Sequence, residues 1–362
     1  MIKYNKLKHE EIAENLQNFL FNQNFNNGDR LLPESQLAKQ FAVNHLTIRK
    51  ALTILENKGL VFRQQGRGTF FNGKPLLKPI LYVGSTEEHI FGELFLKLQN
   101  RMSDINCSFS AITPSKSGNT YSLDTKYLKE HLKNSSAVIF KEEVFHIVSH
   151  ELADYSGQVI VIGMFGVQTD IPCVQILFDR ALAVEVAVNY LFSQGYRKIS
   201  LFIHERKEDF FDDSGYLKQA FHSGFDIYYP SYISTLHKCG IGDWEQVIGL
   251  SSEPSAENIS VLKGIIAKKK AEAFIADMDY RARQLFVTAM ELGMSIPKDF
   301  NVVGIGDTPW ATAMTPSMTS INLGLEEMVD LITRYSSGEK YPGQLTVRIQ
   351  PKVVVRESTS KK

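Results

Sequence analysis

The sequence predicts an α/β protein in which a small N-terminal domain precedes a much larger one. Two observations predict this fold class. Residues 1 to about 74 change from helical periodicity to the pattern of a β-hairpin, and from residue 79 onward short apolar runs alternate with helical stretches. The chain of 362 residues is 43% hydrophobic, which is sufficient for two or three domains with packed cores.

Three helices are expected in the N-terminal domain. The segment from Leu7 to Phe21 carries apolar side chains at helical spacing, and a second helix is expected from Pro33 to Gln40 because proline suits a first helical turn. A third helix follows the short connection at residues 42–44. Its inner stripe recurs at i, i+3, i+4 and i+7 and consists of Ile48, Ala51, Leu52 and Leu55.

A β-hairpin is expected after the third helix. Two extended runs, residues 60–65 and 69–71, flank Gly66-Arg67-Gly68. Glycines on both sides of an arginine let the backbone approach another surface closely while one cation projects. This shape suits a DNA minor groove.

The charge of the chain is divided unevenly. Residues 1–74 contain eleven Lys and Arg against six Asp and Glu, a net charge of +5, so the remainder carries −5 because the whole chain is neutral. A basic head on a mildly acidic body favours an anionic partner for the head alone.

Residues 28–70 resemble the DNA-binding domain of the GntR family. The matching residues are Gly28, Leu31, Glu34, Leu37-Ala38, Val43, Thr47-Ile48-Arg49, Ala51-Leu52, Leu55, Gly59-Leu60 and Gln65-Gly66-Arg67-Gly68-Thr69-Phe70. The resemblance implies a winged helix-turn-helix at residues 1–74 that binds operator DNA as a homodimer, with the third helix in the major groove and the wing in the minor groove. The DNA-binding residues it implies are Ser35, Asn44, His45, Thr47, Arg49, Lys50, Arg63, Gln65, Gly66, Arg67 and Thr69.

Two positions depart from the family pattern. Ser35 and His45 stand where the family commonly has arginine. Because an arginine fork reads guanine bidentately, we expect an operator that differs from the family's commonest half-site. The alternative is a winged helix that binds protein and not DNA.

The larger domain follows a linker at residues 75–78. Its predicted strands are separated by helical stretches, which is typical of parallel sheets covered on both faces with ligands bound beyond the strand ends. The strand runs are Ile80–Val83, Phe109–Ile112, Ala137–Phe140, Val159–Ile162, Ile199–Phe202, Ala273–Ala276 and Asn301–Gly304.

Residues 79–358 resemble the effector domain of the LacI/GalR family. The motifs that carry the resemblance are Asp179 before a helix, Gly195–Ile199, Glu291–Gly304, Thr315–Ile321 and Val353–Ser358. The resemblance implies a periplasmic-binding-protein-like domain over residues 79–362, with lobe one at about 79–175 and 307–335 and lobe two at about 176–306 and 336–358. Together the two domains resemble the arabinose-repressor subgroup.

The cleft between the lobes is implied to bind a sugar, a purine or a related metabolite. The candidate contacts are Phe91, Asp212, Asp279, Asp307 and Trp310. Three positions lack the family's usual polar groups, since Asp212, Met278-Asp279 and Gly306-Asp307 replace an arginine, Asn-Asp and Asp-Asp, so the ligand need not be a typical sugar. The alternative is that Phe91 and Trp310 are core residues and that Asp212 lies in a solvated turn.

The sequence therefore predicts a cytoplasmic transcriptional regulator, expected to be a repressor, under the control of a small metabolite. No nucleophile elbow, phosphate loop or metal-ligand pair is recognisable, and the three cysteines are scattered, so we expect neither an enzyme nor a cofactor or metal. No apolar signal core or membrane span is recognisable either. The alternatives left open are a regulator whose sensor responds to no small molecule, and a solute-binding protein.

Overall fold

The computed structural model describes residues 8–22, 25, 28–57, 59–72, 77–86, 89–105, 107–117, 120–203, 224–244, 246–250, 255–268, 271–341 and 343–359. None of the helices within these ranges is long and apolar enough to cross a membrane. The chain forms two compact units, one of residues up to Ile80 with Gln99–Ser110, and one of Leu81–Leu98 with residues from Ala111 onward.

The N-terminal domain contains the predicted three helices and hairpin. Its elements are α1 (Lys8–Asn22), α2 (Glu34–Gln40), α3 (His45–Asn57), β1 (Val61–Gln64) and β2 (Gly68–Phe71). Apolar side chains from all five elements form one core, and all four residues of the predicted stripe on α3 are completely buried in it. The helical spacing of that stripe therefore identified the inner face of α3 correctly.

The chain before α2 pairs with the hairpin. Leu31 donates its backbone N–H to the carbonyl of Thr69 at 2.9 Å, and Phe71 donates to the carbonyl of Asp29 at 2.7 Å. Arg30 lies opposite Phe70 in an antiparallel bridge. These bonds fix the hairpin against the body of the domain.

The larger domain begins with β3, which starts inside the expected linker at residues 75–78. Pro79 is tolerated near the start of this strand, where the lost N–H disturbs little of the ladder. The elements up to Phe178 are β3 (Leu77–Val83), α4 (His89–Asp104), β4 (Cys107–Ile112), β5 (Ser115–Ser117), β6 (Thr120–Ser122), α5 (Thr125–Asn134), β7 (Ala137–Lys141), α6 (Glu142–Val148), a 3₁₀ turn (Ser149–Leu152), β8 (Gln158–Gly163) and β9 (Val174–Phe178).

The rest of the larger domain continues the alternation of strands and helices. Its elements are α7 (Arg180–Ser193), β10 (Ile199–Ile203), α8 (Gly224–Lys238), β11 (Val247–Gly249), α9 (Ala256–Lys268), β12 (Ala273–Ala276), α10 (Asp279–Glu291), β13 (Asn301–Gly306), α11 (Pro309–Ala313), β14 (Thr319–Asn322), α12 (Leu325–Ser336), β15 (Leu345–Ile349) and β16 (Lys352–Val354).

Two six-stranded sheets organise the larger domain. The first has the order β15-β9-β8-β7-β3-β4 and the second has the order β11-β10-β12-β13-β14-β16. The second sheet is parallel except for the antiparallel pair of β14 and β16. Each sheet has its own apolar core, so the domain consists of two α/β lobes.

Within the described residues the chain passes between the two sheets three times: after β9, after β14, and between β15 and β16. The expected lobe bounds need correction here. The segment at 307–335 was expected in lobe one, yet α11 and β14 belong to the second lobe. Residues 336–358 were expected in lobe two, yet β15 pairs with β9 in the first sheet. The pattern within a short strand carries no information about which distant strand becomes its neighbour.

Candidate functional site

The start of α3 is held by a side-chain cap. The carboxamide oxygen of Asn44 accepts hydrogen bonds from the backbone N–H and the hydroxyl of Thr47, both at 2.8 Å. Since the apolar stripe of α3 is buried, His45, Leu46, Arg49 and Lys50 are left exposed. The first turns of α3 therefore present one imidazole, one apolar side chain and two cations outward.

The carboxylate of Glu34, at the start of α2, orients two of these side chains. Its Oε2 atom lies 3.1 Å from Nε2 of His45 and 3.5 Å from Nε of Arg49. The side chains of His45 and Arg49 are 55% and 64% exposed, so these contacts contribute little to stability, about 0–1 kcal/mol each. Their effect is to position the two side chains before another molecule binds.

Arg63 joins the wing to α3. Its guanidinium donates to the carboxylate of Glu56 at 2.8 Å, to the hydroxyl of Thr53 at 3.2 Å and to the carbonyl of Arg49 at 3.2 Å. Arg63 was expected to contact DNA, and the structure instead engages its guanidinium within the domain.

The wing tip depends on glycine. Gly66 and Gly68 have φ angles of 73° and 115°, a region that other residues rarely adopt. A Cβ atom on Gly68 would lie 2.9 Å from Nε of Arg30. Gln65 and Arg67 are exposed at the tip, whereas Thr69 is partly buried and its carbonyl is bonded to Leu31.

Sequence reasoning missed two exposed side chains in this region. Arg30 lies beside the base of the wing, where the only signal in the sequence was its positive charge. Leu46 is 61% exposed on α3 between two predicted contacts, and its signal was an apolar residue outside the helical stripe. Ser35 is exposed in the first turn of α2.

A cavity of about 570 Å³ lies between the two lobes of the larger domain. It is lined by Met164 and Phe165 after β8, by Asp179, Arg180 and Ala181 at the start of α7, by Pro230, Ser231 and Ser234 of α8, and by Arg348 of β15. Both lobes therefore contribute to one concave site, as in small-molecule sites of this size.

The loop after β8 is clamped from two sides. The carboxylate of Glu142 accepts the backbone N–H groups of Met164, Phe165 and Gly166 at 2.8–3.0 Å. Arg348 donates to the carbonyls of Met164 and Phe165 at 3.2 and 3.3 Å. Burial raises the pKa of Glu142, although these three N–H groups oppose the shift.

The two domains match two families. Residues 8–71 match the family described as bacterial regulatory proteins, gntR family, and residues 188–359 match the periplasmic binding protein-like domain. The chain joins a GntR helix-turn-helix domain to a periplasmic-binding-protein-like domain. The resemblances stated from the sequence are therefore confirmed.

Two known proteins match this chain over different lengths. The arabinose metabolism transcriptional repressor of Geobacillus stearothermophilus is 20% identical, and the alignment covers 97% of both chains. The uncharacterized HTH-type transcriptional regulator YydK of Bacillus subtilis (strain 168) is 36% identical over 64 residues, 18% of this chain and 27% of YydK. This chain thus matches about a quarter of the length of YydK, and the 64 aligned residues correspond in number to one small domain.

Solved structures agree on the larger domain. The LacI family transcriptional regulator CCPA from Weissella paramesenteroides, with bound sucrose, has a TM-score of 0.59 at 14% identity, and the match covers 78% of this chain and 99% of that one. At this identity the similarity shows the fold alone. The expectation of a periplasmic-binding-protein-like fold is confirmed.

Asp279, an expected ligand contact, forms a buried network in the periplasmic-binding-protein-like domain. Its carboxylate accepts from the hydroxyl of Ser320 at 2.5 Å, and from the N–H and hydroxyl of Thr308 at 2.7 and 2.9 Å. Its side chain also packs against Gly304, where a Cβ atom would collide with it. Burial raises the pKa of Asp279, and the three donors oppose the shift. Asp279, the first residue of α10, therefore connects this helix by hydrogen bonds to Thr308, which precedes α11, and to Ser320 of β14.

Asp307 is engaged in a similar way. Its carboxylate accepts from Arg356 at 2.6 Å and from the side-chain amide of Asn322 at 2.8 Å. Its φ of 53° is unusual for a residue other than glycine. These bonds join the ends of β13 and β14 to the chain after β16.

The two expected aromatic contacts lie apart from the cavity lining. Phe91 is 3% exposed and packs against Phe178, with the ammonium group of Lys141 4.5 Å from its ring centre. Trp310 is 37% exposed and packs against Tyr280 with Arg283 beside both rings. Asp212 lies outside the described residues. Among the described residues, the cavity lining contains none of the other four expected contacts.

Sequence reasoning proposed none of the described lining residues as a ligand contact, and Arg180 and Arg348 are the two cations among them. Arg180 had a recognisable signal, because a cation directly after the helix-capping Asp179 lies at the positive end of the helix dipole, where acids are favoured. Arg348 had none, since its position depends on the pairing of β15 with β9.

Proposed function

We propose that this protein is a sequence-specific DNA-binding transcriptional repressor whose affinity for its operator is controlled by a small molecule bound in the cavity between the two lobes. The observation that carries the proposal is the winged helix at residues 8–72, which buries its apolar faces and leaves cationic and polar side chains exposed on α3 and the wing. The full-length similarity to a transcriptional repressor supports the direction of control. Such a regulator acts in the cytoplasm, where the bacterial chromosome lies.

In this proposal α3 enters the major groove. His45, Leu46 and Arg49 face base edges, with Leu46 suited to the methyl group of thymine. Arg67 enters the adjacent minor groove from the wing tip, and Lys50 and Arg30 lie against phosphates. A homodimer would place two such heads on the half-sites of a palindrome.

The cavity supplies the means of control. A ligand that favours one arrangement of the two lobes changes DNA affinity only if the two DNA heads of the dimer differ in spacing between arrangements. Because both lobes line the cavity, a bound molecule contacts both and senses their arrangement.

Replacement of Arg67 by alanine tests the wing contact. We expect affinity for operator DNA to fall about tenfold, close to 1.4 kcal/mol. The loss should extend to unrelated sequences, and the dependence of log K on log salt should become shallower by about one unit per head. Fluorescence anisotropy on a duplex selected from randomised DNA measures both quantities.

Lys133→Ala, which removes an exposed cation from α5, is the matched control and should bind as the unchanged protein does. Equal affinity of the Arg67 variant at every salt concentration would contradict minor-groove insertion of the wing.

Replacement of His45 by arginine tests the orientation of α3. A guanidinium at this position is expected to favour guanine at one position of each half-site by about 1–3 kcal/mol. Selection of binding sites from randomised DNA, read by sequencing, measures the change in preference. Asn134→Arg adds the same charge in α5 and should leave the preferred sequence unchanged. If the His45 variant selects the original operator, α3 does not read bases through this position.

A further inference from the structure

The cavity between the lobes carries positive charge that its described surroundings leave unbalanced. We propose that it binds an anionic group, a carboxylate or a phosphate, of the small molecule that controls the regulator. The inference rests on the proposed function, which requires a small-molecule effector, and adds the chemical class of that effector.

Arg180 is the first observation. Its side chain lines the cavity although the residue is only 7% exposed. Nη1 donates to the phenol oxygen of Tyr228 at 2.6 Å, and Nε is buried with no hydrogen-bond partner among the described residues. No carboxylate of the described residues forms an ion pair with Arg180. A buried guanidinium normally requires an anion, because removing its charge from water without one is costly.

The groups packed around Arg180 do not supply that anion. Tyr228 is completely buried, and burial raises its pKa, so its hydroxyl stays neutral at physiological pH. The nearby carboxylate of Asp277 forms a buried ion pair with Arg281. Two buried cations, Arg180 and Arg281, thus lie near Tyr228 and Asp277, and the carboxylate of Asp277 is paired with Arg281.

The opposite wall of the cavity is also positive. Arg348, on β15 of the first lobe, donates to two neutral carbonyls, those of Met164 and Phe165, so its charge is not neutralised by them. The two arginines of the lining therefore come from the two lobes.

The start of α7 adds to the positive potential. This helix has 14 residues, and Asp179, Arg180 and Ala181 at its start line the cavity. Asp179 is the one acid among the described lining residues, and its carboxylate caps the helix by accepting the N–H of Leu182 at 2.9 Å. Two arginines against one acid give these described residues a net charge of +1.

These groups define the ligand. Guanidinium forks bind carboxylates and phosphates bidentately, and the hydroxyl of Ser234 is available at the same site for a polar body. Phe165 and Pro230 provide apolar walls. A volume of about 570 Å³ accommodates a metabolite of sugar size with its anionic group.

Thermal unfolding of the full-length protein in phosphate and in chloride at matched ionic strength tests the site. Inorganic phosphate is the first probe, and we expect it to raise the melting temperature more in the unchanged protein than in Arg180→Gln and Arg348→Gln. Phosphate stabilises most proteins through exclusion from their surface, so the matched control is Arg334→Gln, which removes an exposed arginine paired with Glu339. This control should keep the full response.

Arg180→Gln supplies a readout that needs no ligand. Because the substitution removes a buried charge without a partner, we expect the variant to melt at a higher temperature than the unchanged protein in chloride. A lower melting temperature would overturn the proposal, because it would show that the folded protein already stabilises this guanidinium without a bound anion. Arg348 is at the solvent-facing side of the cavity, so its variant tests the site independently of the buried position.

Calorimetric titration with glucose, glucuronate and glucose 6-phosphate then separates the sources of the anion. We expect one of the two anionic probes to bind at least tenfold more tightly than glucose, with that margin lost in both arginine variants. Glucose binding as tightly as both anions, or an identical phosphate response in all four proteins, would overturn the inference. Release of operator DNA by a neutral ligand would overturn it too while leaving the proposed function intact, whereas failure to select any DNA sequence would contradict the proposed function whatever the cavity binds.

Discussion

Replacement of Asp279 by alanine is expected to destabilise the periplasmic-binding-protein-like domain by about 3 kcal/mol or more, since hydrogen bonds to a charged group contribute about 1.5–3 kcal/mol each. The change would leave one buried donor of Ser320 and two partly buried donors of Thr308 without their acceptor. A loss of this size is a large fraction of the 5–15 kcal/mol that typically separates a folded domain from its unfolded state. Urea unfolding followed by far-UV circular dichroism measures it.

The matched control is Glu257→Ala. Glu257 is an exposed acid in the first turn of α9, as Asp279 is a buried acid in the first turn of α10. Its replacement should change the free energy of unfolding by less than about 1 kcal/mol, the usual limit for a charge at a helix end. If Asp279→Ala unfolds at the same urea concentration as the unchanged protein and only ligand binding is lost, Asp279 is a ligand contact, as the family resemblance implied.

Replacement of Leu52 by alanine is expected to abolish DNA binding by unfolding the GntR helix-turn-helix domain. Leu52 is completely buried in the core of this domain, and removal of a buried leucine side chain costs about 2–5 kcal/mol. A single core in a domain of this size rarely supplies more than about 3–5 kcal/mol. Fluorescence anisotropy on the selected operator measures binding, and limited proteolysis shows which domain has become susceptible.

Leu46→Ala is the control for the loss of stability, because it makes the same substitution on the same helix at a side chain that is 61% exposed. Its effect on the stability of the domain should remain within about 0.5 kcal/mol. If proteases cleave the Leu52 and Leu46 variants equally, the buried stripe of α3 is not what holds the domain together. Comparable protection of the Leu52 variant and the unchanged protein would lead to the same conclusion.

The N-terminal domain was predictable because its determinants are local. The stripe on α3 repeats within eight residues, and the glycines at the wing tip are required by the turn in which they lie. What periodicity did not reveal is which exposed cations are engaged inside the domain. Arg63 was grouped with Arg67, yet the hairpin brings Arg63 against Glu56 and Thr53 and leaves Arg67 exposed.

The cavity was not predictable by the same route. Asp279 and Asp307 were proposed as ligand contacts because they occupy family positions, and the structure gives both carboxylates partners within the second lobe. The cavity lining instead includes Arg180 and Arg348, which are 168 positions apart in the numbering, and Arg348 takes its place through the pairing of β15 with β9.

The sequence by itself determined the division into a basic helical head and an α/β body, the buried face of α3, and the strands with continuous apolar runs. These features follow from side-chain spacing within one element, which a few neighbouring residues specify. Only the tertiary structure decided that β14 lies in the second sheet and β15 in the first, that Asp279 is a buried acceptor, and that two arginines from different lobes face one cavity. The physical reason is that strand pairing, burial of charge and the lining of a cavity are made by contacts between segments far apart in the chain, and no local pattern encodes the identity of the partner.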